Sequence, residues 1–140
     1  MVMENSLAKI TPVILLLVGA LMATVSCSHE VSFTECGEDE YYGSLLPQYL
    51  RNLDLVLYEL KAETPVDGNF EHEAESKSRP KVFGRASCFS SLTTSVEGCT
   101  SCLDKAIRAV KSECRNSTRA SAGTAAAGCS LQYDNVKIRV

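Results

Sequence analysis

Cys99-Thr-Ser-Cys102-Leu103-Asp-Lys-Ala106-Ile107-Arg-Ala-Val110-Lys-Ser-Glu-Cys114 is the stretch on which the fold turns. Leu103, Ala106, Ile107 and Val110 recur at helical spacing and make one apolar face. Cys99 and Cys102 are three residues apart and share that face. Each thiol can then reach a different neighbouring segment, which would staple the helix at two points. Cys88 and Cys129 flank the stretch, so five of the chain's seven cysteines fall between 88 and 129.

The opening residues speak to the redox state of those thiols. Lys9 precedes an apolar run from Val13 to Ala23, and small residues follow around Val25-Ser26-Cys27. A basic start, a hydrophobic middle and a small-residue cleavage site define a secretory signal peptide, here residues 1–27. The run is short for a membrane span and polar sequence follows at once, which disfavours an uncleaved anchor. Cleavage after Cys27 places Val25 and Cys27 at the selective positions, with Ser26 as the alternative. Removal of Cys27 turns seven cysteines into six, the even set that a full disulfide framework needs.

Roughly 110 residues remain, enough for one small domain over 28–140. With no Trp and only four Phe and five Tyr, its core carries little aromatic mass, so crosslinks add a useful margin. A net charge of -3 argues against nucleic acid, whose phosphates call for a basic patch. No polybasic segment suits a membrane surface, and no span is expected after signal cleavage. The extracellular space is the expected address.

Along the mature chain, His29 to Cys36 reads as a first strand and Gly37–Gly43 as an acidic turn. Leu46, Tyr49, Leu50, Leu53, Val56, Leu57 and Leu60 form a continuous stripe, which predicts a helix from Ser44 to about Ala62. Pro47 fits its first turn, where a missing N–H costs nothing. Thr64 to Pro80 is rich in charge, Pro and Gly without periodicity, and reads as a surface loop. His72, between Glu71 and Glu73, has the residue types of a metal ligand, but a solvated histidine is the expectation. Lys81–Cys88 reads as a strand, and a second helix runs from about Val96 or Gly98 to Glu113. Asn116-Ser117-Thr118 is an N-glycosylation sequon. Ser121–Gly128 is small and uninformative, and Cys129–Val140 closes as a strand. Helices and strands that do not alternate one for one indicate an α+β fold.

The chemistry of the cysteines is expected to be structural. A Cys-x-x-Cys pair allows a thiol–disulfide oxidoreductase, but that motif needs a strand directly ahead of the helix and rarely sits among four other thiols. Zinc would require free thiolates at ligand spacings that are absent. Hydrolysis lacks a Gly-x-Ser-x-Gly motif and a suitably placed histidine. No catalytic residue, metal or cofactor is therefore expected, and the chain reads as a binder rather than an enzyme.

Phe83-Gly-Arg-Ala-Ser-Cys88, Cys99-x-x-Cys102-Leu103 and Gly128-Cys-Ser-Leu-Gln-Tyr-Asp134 carry a resemblance. Together with Arg51-Asn-Leu53, Leu57 and Leu60 in the first helix, they resemble the ginkbilobin-like plant cysteine-rich domain, the stress-antifungal family. The same domain occurs in cysteine-rich repeat secretory proteins, cysteine-rich receptor-like kinases and plasmodesmata-located proteins. The resemblance covers the chain from Cys36 onward. It implies two helices packed on an antiparallel sheet, stapled by Cys36–Cys114, Cys88–Cys99 and Cys102–Cys129. The ten residues between Cys88 and Cys99, and the segment from Cys114 to Cys129, are longer than is usual, which is expected to lengthen turns only.

The resemblance also implies a mannose site made of an Asn after the first cysteine, an Arg before the last and a Glu in the final strand. Here the first position is Gly37, which offers no side chain, and no Arg lies between Ser121 and Gly128. Arg119 lies nearer Cys114 and is expected not to reach. Asp134 keeps the acid, one methylene shorter. Weak mannose binding or none is the expectation. The implied role is a secreted defence or stress protein, antifungal or antimicrobial, with cell-wall or fungal glycans as partners. The alternative is an apoplastic protein-interaction module without antimicrobial action. A sequence ending at Val140 without a second cysteine-rich block or a span is expected to belong to neither the receptor-kinase nor the plasmodesmal architecture.

Overall fold

The structure, a computed structural model, describes residues 31–124 and 128–138. The signal peptide expected over 1–27, the start of the first expected strand at 29–30 and residues 139–140 lie outside the described residues.

The leucine stripe forms α1, Leu46–Glu63, with Pro47 in its first turn. Tyr49, Leu53, Val56, Leu57 and Leu60 are buried, as the spacing requires. The second helix, α2, spans Val96–Glu113, and the Ser95 hydroxyl caps it by accepting the Gly98 N–H at 3.1 Å. Its buried face holds Cys99, Cys102, Leu103, Ala106 and Val110.

Among the described residues five strands build one sheet: β1 Phe33–Cys36, β2 Glu71–Glu75, β3 Phe83–Cys88, β4 Arg119–Gly123 and β5 Cys129–Asp134. Their order is β1-β4-β5-β3-β2 and every neighbouring pair is antiparallel. Gly84, Ala86 and Cys88 of β3 face the helices opposite Tyr133, Leu131 and Cys129 of β5, and the intervening residues are only half-buried. Helix α1 lies over β2 and β3, and α2 lies over β1, β4 and β5. Gly84 sets the closeness of α1: a Cβ there would stand 2.6 Å from Val56 Cγ1 and 2.8 Å from Leu60 Cδ1. The architecture is thus α+β, two helices on an antiparallel sheet.

Three disulfides close it, Cys36–Cys114, Cys88–Cys99 and Cys102–Cys129. These are the pairs implied by the resemblance. Cys99 joins α2 to β3, Cys102 joins it to β5, and Cys114 at its C-cap joins it to β1. The neighbouring thiols of Cys99-x-x-Cys102 thus have separate partners and form no dithiol pair.

Two segments depart from the sequence reading. The surface loop expected over Thr64 to Pro80 contains β2, which pairs with β3 from Glu71↔Ser87 to Glu75↔Phe83. The free backbone edge of β3 recruits it despite poor strand formers, and Ala74 is its one buried side chain. His72 is accordingly not a solvated loop residue: its Nε2 lies 3.1 Å from Glu59 Oε1 of α1. The small segment after Arg119 is likewise a strand, since Ala120 and Ala122 are compact enough to fit beneath α2. Between β2 and β3, buried Asn52 of α1 fixes the connection. Its Nδ2 donates to the Ser78 and Pro80 carbonyls at 3.1 and 2.9 Å, and its Oδ1 accepts the Ser78 hydroxyl at 3.2 Å. The last strand ends at Asp134, short of the expected end.

Candidate functional site

Backbone pairing brings Gly37, Arg119 and Asp134 to one end of the sheet. Arg119 opens β4 directly opposite Asp134, which closes β5. Gly37 follows β1 and donates its N–H to the Arg119 carbonyl at 2.9 Å. The three border one cleft of about 800 Å³, with Ser121 and Gln132 on its sheet wall and Lys137 at its rim.

The cleft corrects one expectation. Arg119 does reach the cleft: its side chain passes against Gly37 so closely that a Cβ there would collide with its Cγ, with its Cδ and Nε each 3.2 Å from that point. The missing side chain at Gly37 is therefore the space through which Arg119 passes. Arg119 is exposed and lines the cleft, where a guanidinium offers its donors without an acceptor capacity of its own. Asp134 accepts the Val136 N–H on Oδ1 at 3.0 Å, which fixes the carboxylate in the turn after β5. A planar cation and a carboxylate beside neutral Ser and Gln can hold a hydroxyl-rich ligand through paired donors and acceptors.

The cleft rests on a buried polar support. Tyr49 and Tyr133 both donate their hydroxyls to the Ser117 carbonyl, at 3.1 and 3.3 Å. Burial pushes the Tyr133 phenol up to about 12. The Tyr49 phenol is raised further, by burial first and then by the neighbouring Tyr133, Asp134 and Tyr41. Both stay neutral donors at physiological pH. Thr118 gives its N–H and its hydroxyl to the Asp39 carbonyl, at 2.9 and 3.2 Å, one residue before Arg119.

A second concavity runs along the seam of the two helices. Leu50, Leu53, Leu57 and Val110 line one part, and Leu55, Tyr58 and Ile107 the next. Asp54 and Lys111 cross it as an ion pair at 2.8 Å. Asn116 borders it, half-buried after the C-cap of α2. Among the described residues no cluster of His, Cys, Asp and Glu has the form of a metal site.

A cysteine-rich domain with a polar cleft at one sheet end is the class that these features define. The chain belongs to the salt stress response/antifungal family, whose model matches residues 26–136. None of the curated proteins matches it. Its fold is similar to the tandem DUF26 ectodomains of two Arabidopsis thaliana cysteine-rich receptor-like proteins. For PDLP5 the identity is 20%, the TM-score 0.63, and the match covers 77% of this chain and 51% of that one. For PDLP8 the values are 21%, 0.64, 79% and 50%. The chain thus spans about half the length of each ectodomain.

Gly37 and Asp134 were candidates from the sequence, and both line this cleft. Arg119 was not, because its approach depends on the β4–β5 register. The sign that could have found it is a strand-opening Arg three residues after the sequon's Asn, antiparallel to an acid that closes the last strand.

Proposed function

We propose that this chain is a secreted, non-catalytic binding domain of the stress and antifungal type, which uses the cleft of Gly37, Arg119 and Asp134 to hold a polar, hydroxyl-rich ligand such as a cell-wall or fungal glycan. The observation that carries this reading is that the sheet register sets Arg119 opposite Asp134 on one cleft, beside Gly37. The family description supports a role in stress or antifungal defence. No helix among the described residues is long and apolar enough to cross a membrane, and the similar folds are ectodomains, which agrees with an extracellular location reached through a signal peptide at 1–27. Mannose itself binds weakly, because the Asn of the implied triad is absent.

A glycan array with the oxidised protein, followed by calorimetry, tests the reading. Arg119→Ala and Asp134→Ala should each weaken binding of the selected glycan about tenfold or more, in line with the loss of a charge-assisted hydrogen bond of about 1.5–3 kcal/mol. Glycan binding unchanged by both substitutions removes the cleft from the function.

The helix seam favours the second reading, a protein-interaction module. Leu55 and Tyr58 are 66% and 68% exposed beside it, an unusual outlay of apolar surface. If no glycan binds and Tyr58→Ala abolishes antifungal action or partner capture, this reading replaces the first.

A further inference from the structure

The sequon Asn116-Ser117-Thr118 is among the most firmly held segments of the folded chain. It follows the C-cap Cys114 in a tight turn: the Ser117 N–H bonds the Cys114 carbonyl at 2.7 Å, and Arg115 takes a φ of 29°. The Asn116 carbonyl accepts the Tyr41 N–H at 2.8 Å, and Glu40 and Ser117 form an antiparallel bridge. The Ser117 carbonyl takes both buried tyrosine hydroxyls. Thr118 has its N–H and its hydroxyl on the Asp39 carbonyl, and Ser117 and Thr118 are only 6% and 8% exposed. The hydroxyl residue of a sequon must be presented to the transferase together with its asparagine. In this fold Thr118 has no such freedom.

Segment 37–41, which supplies these contacts, is tied down at its start by Cys36–Cys114. That bond spans 78 residues and ends two residues before Asn116, so its closure brings the two segments together. We propose that Asn116 accepts a glycan only while Cys36–Cys114 is open, and that closure of this one disulfide shuts the site. Modification and oxidative folding then compete for the same segment, and the order in which they occur sets the glycoform. This rests on the secreted reading, since only a chain entering the secretory pathway meets the transferase. In the transfer, Asn116 Nδ2 forms a bond to C1 of the first sugar of a lipid pyrophosphate-linked oligosaccharide. The bond from C1 to the pyrophosphate oxygen breaks, the lipid pyrophosphate leaves, and the amide gives up one proton to solvent.

The test uses the full chain made without glycan, either oxidised or fully reduced, with microsomal oligosaccharyltransferase and its lipid-linked donor. Reduced chain should be glycosylated at Asn116 at least tenfold faster than oxidised chain. Cys36→Ser/Cys114→Ser, with the other two bridges formed, should match the reduced chain. Because that variant could lose its fold as a whole, Cys88→Ser/Cys99→Ser is the companion: it keeps Cys36–Cys114 and should stay refractory. Equal transfer to oxidised and reduced chain, transfer to neither, or ready transfer to the Cys88→Ser/Cys99→Ser variant overturns the proposal. A refractory Cys36→Ser/Cys114→Ser variant beside a reactive reduced chain overturns it too. Export of the chain from plant cells is measured separately, so a failure of secretion is not mistaken for a failure of this ordering.

Discussion

The two helices are held to the same sheet by different means. Helix α1 buries Leu53, Val56, Leu57 and Leu60 over β2 and β3 and carries no disulfide. Helix α2 buries fewer large aliphatic side chains of its own, Leu103 and Val110 beside Ala106, Cys99 and Cys102, and lies over Ala120 and Ala122 as well as Leu131 and Tyr133. All three disulfides end on α2 or its C-cap. Apolar burial contributes about 25 cal/mol per Å², so a face with two large aliphatic side chains gains less than one with four and a tyrosine. Crosslinks that restrict the unfolded chain make up that difference on the α2 side. In a domain this small, covalent bonds thus stand where side-chain volume is lacking.

The comparison breaks most readily at Cys36–Cys114. Its separation of 78 residues gives about 4.5 kcal/mol from loop-closure entropy, so Cys36→Ala/Cys114→Ala should lower the unfolding free energy by that order. Chemical denaturation measures it, and hydrogen exchange should show protection lost first in β1 and β4. Protection lost first in α1 would mean that the two halves do not differ as argued. On the other side, Leu60→Ala should cost about 2–5 kcal/mol through a cavity over Gly84, and should do so equally in oxidised and reduced protein. A smaller effect follows from Asn52→Ala, which removes the amide bonds to the Ser78 and Pro80 carbonyls and leaves them only the Ser76 hydroxyl to share, and should cost about 1–3 kcal/mol. Faster amide exchange confined to 76–82 would mark the loosened connection.

The mildest change comes with pH. The folded Tyr133 phenol, raised to about 12 from an ordinary 10.0, binds its proton more tightly than the unfolded one. Its contribution is full below the ordinary value and is lost as pH rises through the folded value. Denaturation midpoints should therefore fall as pH is taken from about 10 toward 12, and Tyr133→Phe should flatten part of that fall.

Legibility in the sequence followed side-chain volume as well. The stripe from Leu46 to Leu60 and the face from Cys99 to Val110 announced both helices, and β3 and β5 were readable from their flanking cysteines. Strand β2 was not, since Glu71-His-Glu-Ala-Glu75 owes its form to the open edge of β3 rather than to its own propensity. Strand β4 was hidden because Ala, Ser and Gly give no contrast between faces. The site inherited that blindness: without β4 there is no register, and without register Arg119 cannot be set against Asp134. Asn52 was concealed differently, as a polar residue on the buried side of an apolar stripe whose partners lie 26 and 28 residues away.

The terminal strand β2 carries one more consequence. Glu71, Glu73 and Glu75 are exposed along the last rung of the sheet, with Arg85 and Lys81 reaching only to Glu73 and Glu75. A second molecule adding its own β2 there, antiparallel about Glu73, would set carboxylate against carboxylate at every outward position. Charge therefore guards the β2 edge of the sheet, and the barrier acts between molecules rather than within one. Exchanging all three glutamates for valine would turn this stop into a template for growth, with concentration rather than folding stability deciding how long the protein stays dispersed.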